Sequence, residues 1–201
     1  MRKLCFAVAL LGWSGFVGAQ DAPALSDARS RAQARDWEGT IASLRAAGDR
    51  LSTAADRNAA AEIAVQVGKA QRAAGKHDGA LAAYELALRM RQLVHGEQDH
   101  PDVAMDLDDV GSSLQALGRA PEALVRHESA LAMARRLAGE RPDRLVTAFE
   151  SQLGMCLAAT GRLADARSHF ASSLAMARDL AGDQDSPDVA LVADNLAKCL
   201  F

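Results

Sequence analysis

The chain has 201 residues, of which 49% are hydrophobic and only 4% aromatic, and its formal net charge is -3. Charges of both signs are interspersed at an ordinary density, which argues against a disordered chain and against a basic surface for nucleic acid. Because Ala, Leu and Val dominate, the composition favours closely packed helices over strands.

Residues 1–19 are predicted to be a secretory signal peptide. Arg2 and Lys3 precede an apolar stretch of about 15 residues, and small residues stand just before Gln20. We expect cleavage after Ala19, which predicts a periplasmic or secreted mature protein. An uncleaved membrane anchor is the alternative, although the stretch is shorter than the ~20 residues that a membrane-spanning helix needs. No later segment is apolar enough to span a bilayer.

Residues 20–60 are predicted to hold a degenerate helix pair followed by a joint. The sequence from Trp37 to Ile41 matches the sequence from His77 to Leu81 at an offset of 40 residues. Residues 24–35, which are rich in Ala and Arg, would form the partner helix. Arg50 to Asn58 would be a looser joint.

Three copies of one 43-residue unit follow, and this repetition is the strongest signal in the sequence. We place the copies at residues 61–103, 104–146 and 147–189, with residues 190–201 as the first helix of an incomplete further unit. Small residues recur at equivalent positions and are expected to define the fold: Gly68, Gly111 and Gly154; Gly75, Gly118 and Gly161; Ala80, Ala123 and Ala166.

Each unit divides into two helices. In the second copy, apolar residues between Val103 and Leu117 recur at spacings of three and four, which is one face of a helix, and Gly118 then provides a left-handed stop. The connection to the next helix is short, so the two helices must be antiparallel. Gly111 and Ala123 are expected to let the two helix backbones approach closely.

Prolines mark the connectors between units. Pro101 and Pro187 each follow a capping residue and precede an acid, a pattern that starts a helix. Pro142 stands two residues earlier in its own copy. We therefore expect the first helix of the third copy to begin sooner than its counterparts.

The order of small and aromatic residues resembles the tetratricopeptide repeat. Gly68, Gly75, Ala80, Tyr84 and Ala87 carry the pattern without a gap, and the third copy repeats it with Phe170 at the aromatic position and Ser173 at the last. In the second copy His127 replaces the aromatic residue, so we expect looser packing around a semi-buried histidine. The longer connector from Gly96 to Ala104 is similar to that of kinesin-light-chain repeats. A 43-residue period alone would also fit HEAT or armadillo units.

This resemblance implies an all-α, right-handed superhelical solenoid of antiparallel helix pairs, whose concave face binds a peptide or partner protein. The family's carboxylate clamp would fall on Val65, Lys69, Asp109, Ala148 and Gln152, of which only Lys69 is basic, so we reject that specificity. A mixed extended peptide, acidic toward Lys69 and Arg72, is the hypothesis. The projected concave positions are Glu62, Val65, Lys69, Arg72, Met105, Asp108, Ser112, Gln115, Ala148, Ser151, Met155 and Ala158, and Asp109 and Gln152 are added to the candidate partner-binding residues.

No catalytic constellation emerges, so we predict a protein that is not an enzyme and holds no cofactor or metal. His95 and His100 share a connector with acids that could hold a metal, but a solvated turn is the preferred interpretation. Cys156 and Cys199 occupy equivalent points of neighbouring helices, roughly 8–10 Å apart, so we expect free thiols rather than a disulfide. A row of methionines is expected to be helix–helix core: Met90, Met133 and Met176.

The predicted function is a non-catalytic scaffold that binds a protein or peptide outside the cytoplasm, with no nucleic-acid partner. The alternative is the helical arm of a larger, secreted enzyme or sensor. A small hydrolase or metal protein is disfavoured because no constellation supports it. Apolar residues of the last helix are expected to contact another copy or a further domain: Leu191, Val192, Leu196, Leu200 and Phe201.

Overall fold

The structure is a computed structural model, and it describes residues 25–48, 50–182 and 186–199. Within these ranges the chain forms nine helices and no strand. The helices are α1 (Ser26–Gln33), α2 (Trp37–Gly48), α3 (Ala54–Ala73), α4 (His77–His95), α5 (Pro101–Ala116), α6 (Ala120–Ala138), α7 (Arg144–Ala159), α8 (Leu163–Ala181) and α9 (Pro187–Lys198). The predicted signal peptide, Leu200 and Phe201 lie outside the described residues. No described helix combines the length and the apolar character needed to cross a bilayer.

Successive helices pack as antiparallel pairs that stack in one line. The pairs are α3 with α4, α5 with α6 and α7 with α8, and each second helix also packs against the first helix of the next pair. The first helices α5 and α7 pack directly against each other, whereas no comparable contact links α6 to α4 or to α8. At this junction the stack therefore bends so that the first helices lie on its inner side and the second helices on its outer side. At the start of the array α2 also packs on α4, and α1 on α3.

The weak first copy is a real helix pair, as the sequence predicts. Helices α1 and α2 pack against each other and against α3, and Leu25, Leu44 and Leu51 belong to the same core as the later units. The expected loose joint is shorter than predicted, because Thr53 caps α3 and accepts a hydrogen bond from the Asp56 backbone N–H at 3.0 Å. The first helices begin at Ala54, Pro101 and Arg144, so the boundaries placed at 61, 104 and 147 fall inside them.

Helix α7 does not begin sooner than its counterparts, contrary to the expectation from Pro142. It begins at Arg144, 43 residues after α5 begins at Pro101. Asp143 caps the helix, and its Oδ1 accepts hydrogen bonds from the backbone N–H groups of Leu145 at 2.7 Å and Val146 at 3.1 Å. The proline lies before this cap, so a strong cap and not the proline sets the helix start.

The repeated glycines of the first helices make room for a ring rather than for a backbone, which corrects the sequence interpretation. A Cβ added to Gly111 would lie 2.8 Å from the His127 ring. The same clash would arise at 2.7 Å between Gly68 and Tyr84 and at 2.9 Å between Gly154 and Phe170. Each ring is buried in its own unit, so glycine and ring together set how closely the paired helices pack.

His127 is fully buried, not semi-buried as the sequence analysis expected. Its Nδ1 lies 2.7 Å from the Asp108 carboxylate, while its Nε2 has no hydrogen-bond partner. A buried polar atom without a partner costs stability, and here the single carboxylate contact offsets part of that cost.

The predicted row of methionines is part of the core, as expected. Met90 is buried, and Met133 and Met176 pack partly buried against the same core cluster. Cys156 is buried and Cys199 is half-buried, and both are free thiols.

The end of the first helix in each unit needs a left-handed residue. Gly118 has φ of 76°, a conformation that residues with a Cβ adopt at a cost, and its equivalents Gly75 and Gly161 have the same conformation. The turn that follows brings the second helix back antiparallel to the first.

Candidate functional site

The inner side of the stack presents three parallel rows of side chains from α3, α5, α7 and α9, which we call the inner surface. These positions are four and three residues apart along each helix, so they share one helical face. All are exposed or half-exposed. The first row is Glu62, Met105, Ala148 and Leu191, the middle row is Gln66, Asp109, Gln152 and Asn195, and the third row is Lys69, Ser112, Met155 and Lys198.

Three residues that the sequence projection placed on the concave face point elsewhere. Val65 is only 6% exposed. Asp108 contacts His127 on the second helix of its own unit, and Ser151 contacts Ser173 at 3.0 Å between the two hydroxyl oxygens. Residues at this position therefore hold the helix pair together, and the neighbouring position one residue later faces the inner side.

The basic end of the surface is neutralised within the protein. Arg72 donates a hydrogen bond to Asp109 at 2.8 Å and lies over the Tyr84 ring, 5.6 Å from its centroid. Burial raises the pKa of the Asp109 carboxyl, and the Arg72 guanidinium and, more weakly, Lys69 oppose that shift. An acidic peptide would have to compete with Asp109 for Arg72, so the structure gives little support to the predicted acidic preference.

Two further ion pairs involve the inner surface. Glu62 lies 3.5 Å from the Arg91 guanidinium, and Lys198 lies 2.5 Å from Asp194 on the next turn of α9. These contacts are at least half exposed on one side and are worth little to stability.

The first row of the inner surface becomes apolar from α5 onward. Met105 and Met155 are each 38% exposed and Leu191 is 61% exposed, and Ala148 lies between them. The Gln152 side-chain amide donates a hydrogen bond to the Ser112 hydroxyl at 3.2 Å, which joins adjacent first helices. The carbonyl oxygen of such an amide keeps capacity to accept a hydrogen bond from a ligand.

A buried polar cluster lies away from this surface, and sequence reasoning missed it. Glu150 is 1% exposed, and its carboxylate accepts from Arg135 at 2.5 Å and from Ser172 at 3.3 Å, and lies 2.6 Å from the Nδ1 of His169. With three partners the carboxylate is satisfied, which is a structural role. The available signal was the register, because Leu107 occupies the equivalent position one unit earlier.

The connector histidines form a stacked pair, not a ligand set. The His95 and His100 rings are 3.7 Å apart between centroids and nearly parallel. His100 Nδ1 accepts a hydrogen bond from the Asp102 backbone N–H at 3.2 Å and so caps α5. In the described part of the chain, no group of three potential ligand side chains is placed to hold a metal ion.

The last helix shows only part of the expected apolar contact surface. Leu191 is 61% exposed, whereas Val192 is 5% exposed and belongs to the core, so Val192 is not available to a partner. Leu196 is half-buried against the main core cluster.

The geometry defines a class of protein, namely a helical-repeat solenoid with an open inner surface. Tetratricopeptide repeat family models match residues 59–136 and residues 151–188. The chain belongs to the tetratricopeptide repeat family, and this confirms the identification made from its small residues. Tetratricopeptide repeats are in general non-catalytic scaffolds for protein–protein interaction.

Solved structures support the same fold. BtubC (BKLC) from P. vanneervenii superposes with a TM-score of 0.67 at 22% identity, covering 86% of this chain and 68% of that one. The apo form of RapI gives a TM-score of 0.64 at 14% identity, covering 88% of this chain and 61% of RapI. A putative kinesin light chain with nearly identical TPR-like repeats from Podosopora anserina gives 0.60 at 19% identity, covering 86% and 81%.

These structures confirm the right-handed superhelical solenoid, and at such low identity they show the fold alone. No curated protein sequence matches the chain significantly.

Proposed function

We propose that the inner surface binds an extended segment of a partner protein. The middle row carries the proposal, because Gln66, Asp109, Gln152 and Asn195 place one amide or carboxylate in each unit at the same register. An extended chain has backbone N–H and C=O groups that need hydrogen-bond partners at regular intervals, whereas a bound helix satisfies its own. A ladder of amides with apolar rows beside it suits the extended chain.

The proposed activity is binding without chemistry. The buried carboxylates Asp106 and Glu150 each have a structural ion-pair partner, and the histidines near them cap or pack helices. The candidate residues Glu62, Lys69, Arg72, Met105 and Gln115 would contribute contacts rather than catalysis. What a binding scaffold needs is a preformed open surface, and the stacked helices supply one.

The binding proposal is tested by selecting peptides from a random display library against residues 20–201 and measuring their affinities by fluorescence anisotropy. The variant Gln66→Ala/Gln152→Ala removes two amides of the middle row. Each lost hydrogen bond is worth about 0.5–1.5 kcal/mol, so we expect affinity to fall about tenfold. Glu85→Ala/Arg89→Ala is the matched control, because both residues are exposed on the outer helix α4.

Equal affinity of the parent, the middle-row variant and the outer control for every selected peptide would contradict the proposal. Loss of affinity in the outer control alone would indicate that the peptides bind to the second helices. Because the substituted residues are exposed, circular dichroism should show unchanged folding in all three proteins.

We also propose that the protein acts in the periplasm or outside the cell. The support is the sequence of residues 1–19, with its basic start, apolar stretch and small residues before Gln20. N-terminal sequencing of the protein recovered from its native host tests this, and the expected first residue is Gln20. An intact Met1 in a cytosolic fraction would contradict it.

A further inference from the structure

The first row of the inner surface changes character along the stack. It begins with Glu62 and continues with Met105, Ala148 and Leu191, which are all exposed and all apolar. Met155 adds a fourth apolar side chain from the third row of α7. Exposed apolar side chains aligned across several elements mark an interaction surface more strongly than scattered ones do.

From α5 onward the charged side chains beside the apolar row are paired within the protein. Asp109 pairs with Arg72 at 2.8 Å, and Lys198 pairs with Asp194 at 2.5 Å. A charged occupant there would lose hydration without gaining an unpaired opposite charge, so this part of the surface selects an uncharged one.

The distance between successive apolar side chains of the row determines how often an apolar side chain must recur in the bound segment. Helices α5 and α7 pack directly on each other, and packed helices have axes about 8–10 Å apart, so Met105 and Ala148 are separated by about that distance. Three residues of polyproline II advance about 9 Å and return the side chain to the same side. A β-strand returns a side chain to the same side every two residues, after about 6.6 Å, which does not match the row.

We infer that the occupant of the inner surface is an uncharged segment in a polyproline-II-like conformation, with an apolar side chain at every third position. Its apolar residues contact Met105, Ala148 and Leu191 in turn, and its solvated backbone groups lie over the middle row of amides. This inference rests on the proposed function and names the chemistry of the partner.

Two synthetic peptides of identical composition test it. The first repeats Leu-Pro-Gln four times, and the second is a shuffled isomer in which no two leucines are three residues apart. Both carry fluorescein and are titrated with residues 20–201 in an anisotropy experiment. We expect the periodic peptide to bind at least tenfold more tightly than the shuffled isomer.

Substitutions test whether the difference in affinity depends on the first row of the inner surface. Met105→Gln/Leu191→Gln should weaken binding of the periodic peptide at least tenfold and leave the shuffled isomer unchanged. Val125→Gln is the matched control, because Val125 is an exposed apolar residue on the outer helix α6, 57% exposed. It should leave both affinities unchanged.

Equal affinity for the two isomers, or no loss in the Met105/Leu191 variant, would overturn the inference. Failure of the inference is distinguishable from failure of the proposed function. Library peptides that need Gln66 and Gln152 but lack a period of three would leave the binding function intact and refute only the partner chemistry.

Discussion

The two junctions between complete units are built to the same register, but the ion pair of the second junction, Arg135 with Glu150, lies one residue later than that of the first. At the first junction Arg91 of α4 and Asp106 of α5 form a buried ion pair, 2.6 Å between Nη1 and Oδ1. One repeat later the equivalent positions hold Ala134 and Phe149, both buried in the core. The comparison teaches that the 43-residue step sets where helices meet, while either a charge pair or an apolar pair can fill the contact.

The ion pair is energetically the more costly of the two ways to fill this contact. Asp106 is 1% exposed and its Oδ2 has no hydrogen-bond partner. Burial raises its pKa to about 7, although the Arg91 guanidinium opposes the shift. Taking both charges out of water costs several kcal/mol, and their attraction repays this only while both partners are present.

Removing one partner of the Arg91–Asp106 ion pair should change the free energy of unfolding more than any other substitution considered below. Arg91→Ala leaves the Asp106 carboxyl buried without its partner, so we expect the free energy of unfolding to fall by about 3–5 kcal/mol at neutral pH. Urea denaturation followed by circular dichroism measures it. The loss should be largest above pH 7 and shrink below it, because Arg91 no longer lowers the pKa of the abandoned carboxyl, which then takes up a proton more readily.

The control for that experiment replaces only the ion pair with the two residues found at the same positions of the second junction. In Arg91→Ala/Asp106→Phe the pair becomes the Ala and Phe found one unit later, and we expect stability within about 1.5 kcal/mol of the parent. If the double variant were as unstable as Arg91→Ala alone, the two junctions would not be interchangeable.

The middle unit, which belongs to both junctions, is sensitive to overpacking. Gly111→Leu would drive a side chain into the His127 ring, 2.8 Å from the ideal Cβ, and we expect a loss of about 1–3 kcal/mol or more. Gly154→Leu, facing Phe170, should cost a similar amount. Ala116→Leu, exposed at the end of α5, is the control. Thermal melting of Gly111→Leu at the parent temperature would refute the ring contact.

The caps of the two connectors should differ in strength. Asp143 accepts two backbone hydrogen bonds, so Asp143→Ala should cost about 1 kcal/mol of the free energy of unfolding. His100→Ala should cost less, since His100 accepts a single, longer bond of 3.2 Å. Parallel urea titrations compare the two, and a larger cost for His100→Ala would reverse the ranking.

The smallest expected effect is a pH response confined to the first connector. Burial lowers the pKa of His95, and the neighbouring His100 lowers it further. A base whose pKa is lowered on folding binds fewer protons in the folded state. The contribution of His95 to stability is therefore lost as the pH falls below the usual histidine pKa of about 6.5.

Replacement of both histidines isolates this response. His95→Ala/His100→Asp gives the first connector the residues of the second, where Ala138 and Asp143 stand at the same register. We expect stability to fall less between pH 7 and pH 5 in the variant than in the parent. Identical slopes in the two proteins would show that the stacked pair does not titrate with folding.

The fold was readable from the sequence because its determinants are local and repeated. Glycine, alanine and proline at fixed spacing specify helix ends and close contacts, whatever fills the remaining positions. The inner surface was harder to predict, because a shift of one residue in the register changes which side of the helix a residue faces. Val65 and Gln66 show the difference: the apolar residue is buried and the amide faces the inner side. Their polarity, if weighed above the projection, would have corrected the register.

Contacts between distant parts of the chain were beyond sequence reasoning for a different reason. The pairing of Arg91 with Asp106 and of Glu150 with Arg135 depends on which faces of neighbouring units meet. A single sequence shows which residues are charged but not which of them pair. A charged residue that forms an ion pair between units looks the same in the sequence as one that only faces solvent.

Helices α5 and α7 pack directly on each other, whereas α6 packs comparably on neither α4 nor α8, which gives this junction the mechanics of a hinge. The junction can pivot about its inner contact, and a small rotation there becomes a larger displacement at the outer edge. A ligand laid along the inner surface would bridge the pivot. Its binding would then set the angle between the two units, so that occupancy on one side is communicated as shape on the other.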